Sequence, residues 1–215
     1  MRDIPLFTTE NGAAGLVLRE IPYKGIAYIT LHDTLSPQAL LQECVDFCSM
    51  AGAEYVYATG HPYLQQYPLH CQILQMQRPR AGLTPADAEL YPVTAETAEQ
   101  WRTLYNDRMR NVPNGATMTR GDMEKLLARQ AGYFVYGGSE LWGIGIAAGD
   151  TVESVIGVKP GMGESVLLAL CSALQSEKVI LEVASTNQPA LRLYTRLGFA
   201  RTKIISDWYC VKNKC

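Results

Sequence analysis

The sequence predicts an α/β protein in which a smaller half precedes a larger one. Runs rich in β-branched and aromatic residues alternate with helical patterns along the 215 residues. The stretch between Arg78 and Pro92 contains three prolines and a glycine, which interrupt any regular pattern. We therefore divide the chain into a small α/β domain at residues 1–80, a linker at 81–92 and a larger domain at 93–215.

The N-terminal part is predicted to contain four strands and one helix. Ser36 followed by Pro37 supplies a capping residue and a proline in the first turn, so a helix is expected to begin there. This helix should end near Met50, because Gly52 follows. The strands are predicted at Gly15–Ile21, Gly25–Leu31, Glu54–Thr59 and Leu69–Gln77.

The larger part is predicted to contain four helices and six strands. The pairs Gly137-Gly138 and Gly149-Asp150 are hairpin signals, and Gly198 suits the left-handed conformation that ends a helix. The helices are predicted at Thr94–Arg110, from Thr119 onward, at Ser165–Gln175 and at Pro189–Arg196. The strands are predicted at Gly132–Tyr136, Leu141–Ala148, Val152–Val158, Val179–Val183, Phe199–Ile205 and Trp208–Lys212.

Composition and charge argue against several classes of function. The net charge is −2 and the cationic runs are short, so a nucleic-acid partner is not expected. None of the six cysteines forms a CxxC pair, and we predict no metal site. The sequence shows no signal peptide and no stretch long enough to span a membrane. We therefore expect a cytoplasmic monomer or homodimer without a membrane partner.

A faint internal similarity links the two parts of the chain. The helix–strand stretch Ala39–Gly60 resembles Ser165–Ser185 in length and in pattern. The N-terminal part is therefore interpreted either as a reduced copy of the larger domain or as a chance match within a mixed α/β protein.

A glycine-rich connection follows the predicted strand that ends near Val158. Gly161 and Gly163 would let a phosphate approach the backbone closely, and Ser165 could add a hydroxyl group. The backbone N–H groups at the start of the next helix would lie at its positive end, which suits an anion. The alternative is an ordinary turn between a strand and a helix.

The segment from Val179 to Phe199 carries a more specific pattern. It reads VILEVASTNQPALRLYTRLGF, with Asn187, Ala190 and Tyr194 ahead of Leu-Gly-Phe. This pattern resembles the last helix of the GNAT acetyltransferases. Together with the glycine-rich connection upstream, the order of elements from Pro92 to Cys215 is similar to that family.

The resemblance implies a mixed, twisted sheet that splits between its fourth and fifth strands, with acetyl-CoA in the split. It also implies an acyltransferase that moves an acetyl group from acetyl-CoA to an amine of a small molecule, or of a peptide, by direct attack. No metal is needed for this chemistry. The residues implied in cofactor binding are Ile156, Val158, Lys159, Gly161, Met162, Gly163, Glu164, Ser165, Asn187 and Tyr194.

Catalytic roles also follow from the resemblance. Tyr194 matches the tyrosine that protonates the departing CoA thiolate, although it could instead be a core aromatic residue, and Asn187 could be only a helix cap. Glu153 is the preferred general base by position. Glu182 and Asp150 are the other carboxylates considered.

The predicted acceptor site lies in the first two helices of the larger domain. There, Arg108 and Arg110 are expected to pair with a carboxylate of the substrate.

The sequence departs from the family at the phosphate loop. The loop is short, and Lys159-Pro160 stands where the family usually has an arginine or glutamine ahead of its glycines. A lysine supplies a point charge but no bidentate fork. An alternative is therefore a catalytically degenerate acyl-CoA-binding or assembly module on the same fold. In the assembly version, aromatic residues of the N-terminal part would form an interface; otherwise they pack onto the catalytic domain. These residues are Tyr55, Tyr57, Tyr63 and Tyr67.

Overall fold

The computed structural model describes residues 3–84, 86–112 and 114–213, which form two compact units. Unit 1 contains residues 3–73, 184–186 and 204–213, and unit 2 contains the described residues of 74–183 and 187–203. In chain order the elements are β1 (Ile4–Thr9), β2 (Gly12–Val17), α1 (Ile21–Lys24), β3 (Ile26–Thr34), α2 (Pro37–Met50), β4 (Tyr55–Thr59), β5 (Leu69–Pro79), β6 (Glu89–Pro92), α3 (Ala98–Met109), α4 (Arg120–Arg129), β7 (Gly132–Gly137), β8 (Glu140–Ala148), β9 (Thr151–Gly157), α5 (Gly163–Ala173), β10 (Lys178–Ala184), α6 (Gln188–Arg196) and β11 (Ala200–Lys212).

Unit 1 is a mixed sheet with one long helix. Its strands follow the order β1-β2-β3-β4-β11. The β1–β2 and β2–β3 pairs are antiparallel, whereas β3 and β4 are parallel and joined by α2. This parallel pairing runs through five successive positions, from Ile26↔Tyr55 to Thr30↔Thr59. The two strands therefore stay together along the whole of β4.

Helix α2 forms the core of unit 1 with one face of its sheet. Leu40, Cys44 and Cys48 are fully buried in the same cluster as Ile29 and Val56 of the sheet. Burial raises the pKa of the Cys48 thiol to about 11, with the charge of Lys212 acting in the opposite direction. These cysteines are therefore core residues and stay protonated at neutral pH.

Aromatic side chains form a second cluster in unit 1. The Tyr57 ring stacks on the His70 ring with centroids 3.8 Å apart, and the Trp208 ring meets Tyr28 edge-on at 5.4 Å. Tyr63 and Tyr67 instead pack against the core that contains α2, with their ring centroids 6.3 Å apart. The interface role considered for the tyrosines of this part of the chain stays a prediction.

Unit 2 is a sheet whose helices pack into two separate hydrophobic cores. Its strand order is β11-β5-β10-β9-β8-β7-β6. Helices α3 and α4 share one core with β7, β8 and β9, whereas α5 and α6 share another that includes β5 and β10. Helix α4 begins where the sequence predicts, because Thr119 and Asp122 form a reciprocal capping box.

Two glycines of β8 allow α5 to pack closely on the sheet. A Cβ atom at Gly145 would lie 2.2 Å from Leu170 Cδ1, and one at Gly143 would lie 2.5 Å from Val166 Cγ2. Any side chain at these positions would push the helix away from the strand. Glycine at both positions therefore fixes how α5 lies on β8.

The sheet of unit 2 splits between its fourth and fifth strands, β9 and β10. Within the described residues, their parallel pairing is limited to Ile180↔Thr151 and Leu181↔Val152, at the start of both strands. The later residues of β9 remain paired with β8, up to Gly143↔Gly157. The mixed sheet and its split confirm the predicted fold class.

Several elements differ from those predicted. Strand β1 was not expected, and the short helix α1 lies between the first two predicted strands. Strand β6 lies inside the stretch 81–92 that the sequence analysis treats as a linker. The two predicted C-terminal strands are the single strand β11, which contributes residues to both units. Among the described helices, none has the length and apolar character needed to cross a membrane.

Candidate functional site

The glycine-rich connection lies between β9 and α5, as predicted. Both Val158 N and Lys159 N donate to Trp142 O, at 2.8 and 3.1 Å, so the start of the connection is attached to β8. Gly161 has φ of +83°, a conformation that other residues rarely adopt. Met162 N donates to Lys159 O at 3.3 Å, which closes the turn ahead of the helix.

The start of α5 offers backbone donors beside an open space. The N–H groups of Gly163, Glu164 and Ser165 belong to the first turn and therefore have no acceptor inside the helix. A Cβ atom at Gly157 would lie 3.6 Å from Gly163 N and 3.7 Å from Lys159 O. Because Gly157 has no side chain, none covers Gly163 N from this strand, and an anionic oxygen could approach that N–H group.

The charged side chains around this connection are paired with each other. Lys159 Nζ contacts Glu140, and Arg196 Nη2 lies 2.5 Å from Glu164 Oε2. Both pairs are exposed, so each contributes little to stability. The backbone donors are consequently the main attraction for an anion here.

Tyr194 is buried in the core that α5 and α6 share. Its side chain is 8% exposed, and its ring lies 6.0 Å from the Phe199 ring. Burial, together with the nearby Cys171 thiol, raises the pKa of Tyr194 to about 12. The phenol therefore keeps its proton at neutral pH, as a proton donor must. The same packing suits a core aromatic residue, so its catalytic role stays a prediction.

Asn187 caps α6, and Ile156 lies within the sheet. Asn187 Oδ1 accepts a hydrogen bond from Ala190 N at 3.3 Å. Ile156 is 6% exposed and pairs with Ile144 of β8. Cofactor contacts by either residue are a prediction.

The three carboxylates considered as general base differ in their surroundings. Glu153 forms an exposed ion pair with Arg129, and the carboxylate raises the pKa of that guanidinium. Asp150 lies 3.8 Å from Lys178 Nζ. Glu182 is exposed on β10. Glu153 would have to leave Arg129 in order to accept a proton from a substrate.

The arginines predicted for acceptor binding lie at the end of α3. Arg108 belongs to its last turn and Arg110 is its C-terminal cap, and both are exposed. Their solvent exposure allows a ligand carboxylate to reach them, and the pairing itself stays a prediction.

Two residues of α3 that the sequence analysis did not single out hold the α3–α4 connection. Asn106 Oδ1 accepts from Met118 N at 2.8 Å, and Asn106 Nδ2 donates to Met118 O at 3.0 Å. Arg102 Nη1 donates to the same carbonyl at 3.3 Å. In the sequence, the signal for these two residues is their spacing of four, which places them on one helix face. That spacing does not reveal that Met118 is their partner.

Across residues 3–84, 86–112 and 114–213, no group of three or more His, Cys, Asp or Glu side chains could hold a metal ion.

Comparisons with known proteins agree with this architecture. No family model matches the chain. A mycothiol acetyltransferase from Clavibacter michiganensis subsp. michiganensis is 32% identical over 135 residues, which cover 54% of this chain and 43% of that protein. This chain thus spans less than half of that relative.

Solved structures match over more of the chain. A GCN5-related N-acetyltransferase from Anabaena variabilis has a TM-score of 0.64 at 12% identity, covering 93% of this chain and 59% of its own. A second such enzyme, from Sphaerobacter thermophilus, has a TM-score of 0.55 at 13% identity, with 94% and 78% covered. A conserved protein of unknown function from Staphylococcus epidermidis has a TM-score of 0.58 at 12% identity, with 97% and 93% covered. At identities this low, the structural similarity shows a shared fold and nothing more.

Proposed function

We propose that this chain, which has the fold of the GCN5-related N-acetyltransferases, transfers an acetyl group from acetyl-CoA to an amine of a small molecule. One observation carries the proposal: β9 and β10 pair at two positions and then diverge, just before the glycine-rich connection. A strand that leaves its neighbour has backbone groups available for an extended ligand. The amide-bearing arm of acetyl-CoA is such a ligand.

The binding part of the proposal uses backbone groups. The pyrophosphate would be held by the N–H groups of Gly163, Glu164 and Ser165, in the space that Gly157 leaves open. Lys159 adds a positive charge nearby. Val158 and Ile156 belong to the end of β9 and its continuation, along which the pantetheine arm would lie.

The chemical part of the proposal requires the nitrogen to lose two protons and the thiolate to gain one. Acetyl-CoA supplies an acetyl thioester, which a neutral amine can attack directly. Glu153 would accept the proton that the acceptor ammonium must lose. The amine nitrogen then bonds to the acetyl carbon, the carbon–sulfur bond breaks, and Tyr194 would donate its phenolic proton to the departing thiolate. The nitrogen releases its second proton to water as the amide forms, and Tyr194 regains a proton from water. The elevated pKa of Tyr194 keeps this proton in place before the reaction.

A second candidate function is acyl-CoA binding without turnover. It is favoured by the engagement of both proposed catalytic groups, since Glu153 is paired with Arg129 and Tyr194 is packed in the core. The glycine-rich connection and the strand divergence would serve this function equally well.

A titration with acetyl-CoA tests the shared step of both functions. At 100 times its Kd, a ligand adds about 2.7 kcal/mol of stability. For a chain of this size that corresponds to a rise in Tm of about 5–10 °C. No rise in Tm and no heat of binding at millimolar acetyl-CoA would contradict both functions.

Turnover separates the two candidates. The protein would be incubated with acetyl-CoA and a panel of small amines, and the release of free CoA thiol followed. The proposed enzyme releases thiol only with certain amines, and Tyr194→Phe and Glu153→Gln each lower kcat by about 100-fold. Binding without release for any amine favours the binding module. Light scattering in parallel gives the oligomeric state.

A further inference from the structure

The end of β5 reaches the C-terminal ends of two helices. Arg78 Nη1 donates a hydrogen bond to Leu197 O, which follows α6, and Arg80 Nη1 donates to Leu174 O, which follows α5, at 2.7 Å. Only Pro79, with its restricted φ, separates the two arginines. A single short segment therefore holds both helices at the same type of position.

Helix ends explain why arginines are used here. The last carbonyl groups of a helix have no N–H partner within it, and they form the negative end of its dipole. A guanidinium group offers both a donor and a positive charge. Gly198, with φ of +82°, lies directly beside this contact, since a Cβ atom there would touch Arg78 Nη1 at 3.6 Å.

The segment itself is held in a closed turn. Arg78 Nε donates to Pro79 O at 3.0 Å, and its Nη2 donates to Ala81 O at 3.3 Å. Leu83 N donates to Arg80 O at 3.1 Å. Both guanidinium groups therefore extend from a backbone held by hydrogen bonds, so they can hold the ends of α5 and α6 in place.

The two helices held in this way carry four of the ten residues predicted to bind the cofactor. Helix α5 presents its first turn, from Gly163 to Ser165, and α6 presents Tyr194 in its last turn. The two helices also touch near this turn, since a Cβ atom at Gly163 would lie 3.8 Å from Leu193 Cδ2. A shift of either helix along its axis would therefore separate the phosphate donors from Tyr194.

We propose that Arg78 and Arg80 are positioning residues for the cofactor site, an inference that rests on the proposed function. They hold the C-terminal ends of α5 and α6 so that the first turn of α5 and the Tyr194 side chain keep a fixed distance. Arg78 is the more important of the two, because its three hydrogen bonds join α6 to the turn. Loss of Arg78 lets the last turn of α6 open, and that turn includes Tyr194.

Binding and local opening are measured on the full chain. Arg78→Ala and Arg80→Ala are compared with the wild type for their Kd for acetyl-CoA, at a temperature at which circular dichroism shows each variant folded. Hydrogen exchange is followed over residues 188–199. Arg192→Ala, an exposed arginine of α6 itself, is the matched control.

The expected result is about tenfold weaker acetyl-CoA binding for Arg78→Ala, a smaller loss for Arg80→Ala and no change for Arg192→Ala. Exchange in residues 188–199 should rise about tenfold or more in Arg78→Ala alone. Arg78→Lys keeps the charge but has no fork of donors, so we expect an intermediate affinity. If Arg78→Ala does not fold, the acetyl-CoA affinity of Arg78→Lys tests the inference instead, and wild-type affinity in that variant would contradict it.

Two outcomes overturn the inference. A lower Tm with wild-type affinity for acetyl-CoA would make Arg78 a stabilising residue with no positioning role. Unchanged exchange in residues 188–199 would show that Arg78 does not hold α6. A wild-type protein that fails to bind acetyl-CoA would instead overturn the proposed function, and the exchange experiment alone would then judge the contact with α6.

Discussion

The connection β3–α2–β4 of unit 1 and the connection β9–α5–β10 of unit 2 have the same order of elements and the same parallel pairing, but the pairing differs in extent. Strands β3 and β4 pair at five successive positions, whereas β9 and β10 pair at two and then diverge. Each set follows an antiparallel run of strands. This shared order is consistent with the interpretation of the N-terminal part as a reduced copy of the larger domain.

The loops that connect the first strand to the helix also differ between the two units, in length and in glycine content. Residues 35–36 join β3 to α2 without a glycine, and residues 158–162 join β9 to α5 with Gly161 in the left-handed conformation. The longer loop is therefore found where the strands separate. We infer that a cofactor site between two parallel strands of this fold requires strands that stop pairing and a loop that exposes backbone donors. Unit 1 has neither feature, so we expect one acetyl-CoA site per chain.

The largest effect is expected from removing a core leucine of either helix. Leu40 of α2 and Leu167 of α5 are both fully buried, so replacing either by alanine should lower the free energy of unfolding by about 3 kcal/mol. Urea unfolding measures this cost. Calorimetry with acetyl-CoA should show weaker binding only for Leu167→Ala, because α5 begins at the glycine-rich connection. Equal losses of affinity in both variants would contradict the difference between the units.

The next effect is expected at the end of β9. Gly157→Leu fills the space in front of Gly163 N, so acetyl-CoA affinity should fall about 100-fold, which is 2.7 kcal/mol. Gly157 is exposed, so Tm should change little. Leu35→Ala, in the corresponding loop of unit 1, is the control and should leave the affinity unchanged. Normal binding by Gly157→Leu would mean that the phosphate groups do not use this space.

The smallest effect is expected in alkaline solution. Burial raises the phenol pKa of Tyr28 in unit 1 and of Tyr194 in unit 2, the latter to about 12. The unfolded phenol ionises near pH 10, so the unfolded state loses protons first and stability should decline from about pH 10 toward pH 12. Tyr28→Phe and Tyr194→Phe should each reduce this decline in urea unfolding measured at several pH values. A decline as steep as that of the wild type in both variants would show that neither phenol is buried in solution.

The sequence predicted the elements whose signals are local. Helix α2 begins next to Ser36 as expected, with Pro37 in its first turn, although the Ser36 side chain makes no capping hydrogen bond. The hairpin turns at Gly138 and Gly149 adopt positive φ, as expected for their glycines, and Gly198 ends α6 in the left-handed conformation.

The elements that were missed depend on distant partners or on prolines tolerated at a sheet edge. Strand β1 contains Pro5 and β6 ends at Pro92, and both are edge strands, where a missing N–H donor costs little. The contacts of Arg78 and Arg80 were not predicted either. Their acceptors Leu197 and Leu174 lie 119 and 94 residues away, a separation that no local pattern reveals.

Strand β11 has a consequence for the order in which the protein can form during synthesis. It pairs with β4 through Tyr209↔Ala58 and Cys210↔Tyr57, about 150 residues further along the chain. On the ribosome, β1 to β4 and α2 emerge long before this partner, and domains commonly fold as they emerge. One edge of strand β4 therefore keeps its backbone donors and acceptors unpaired until nearly all of unit 2 has been synthesised. Such an edge invites pairing with other nascent chains, so we expect the folding yield to depend more on β11 than on any other strand.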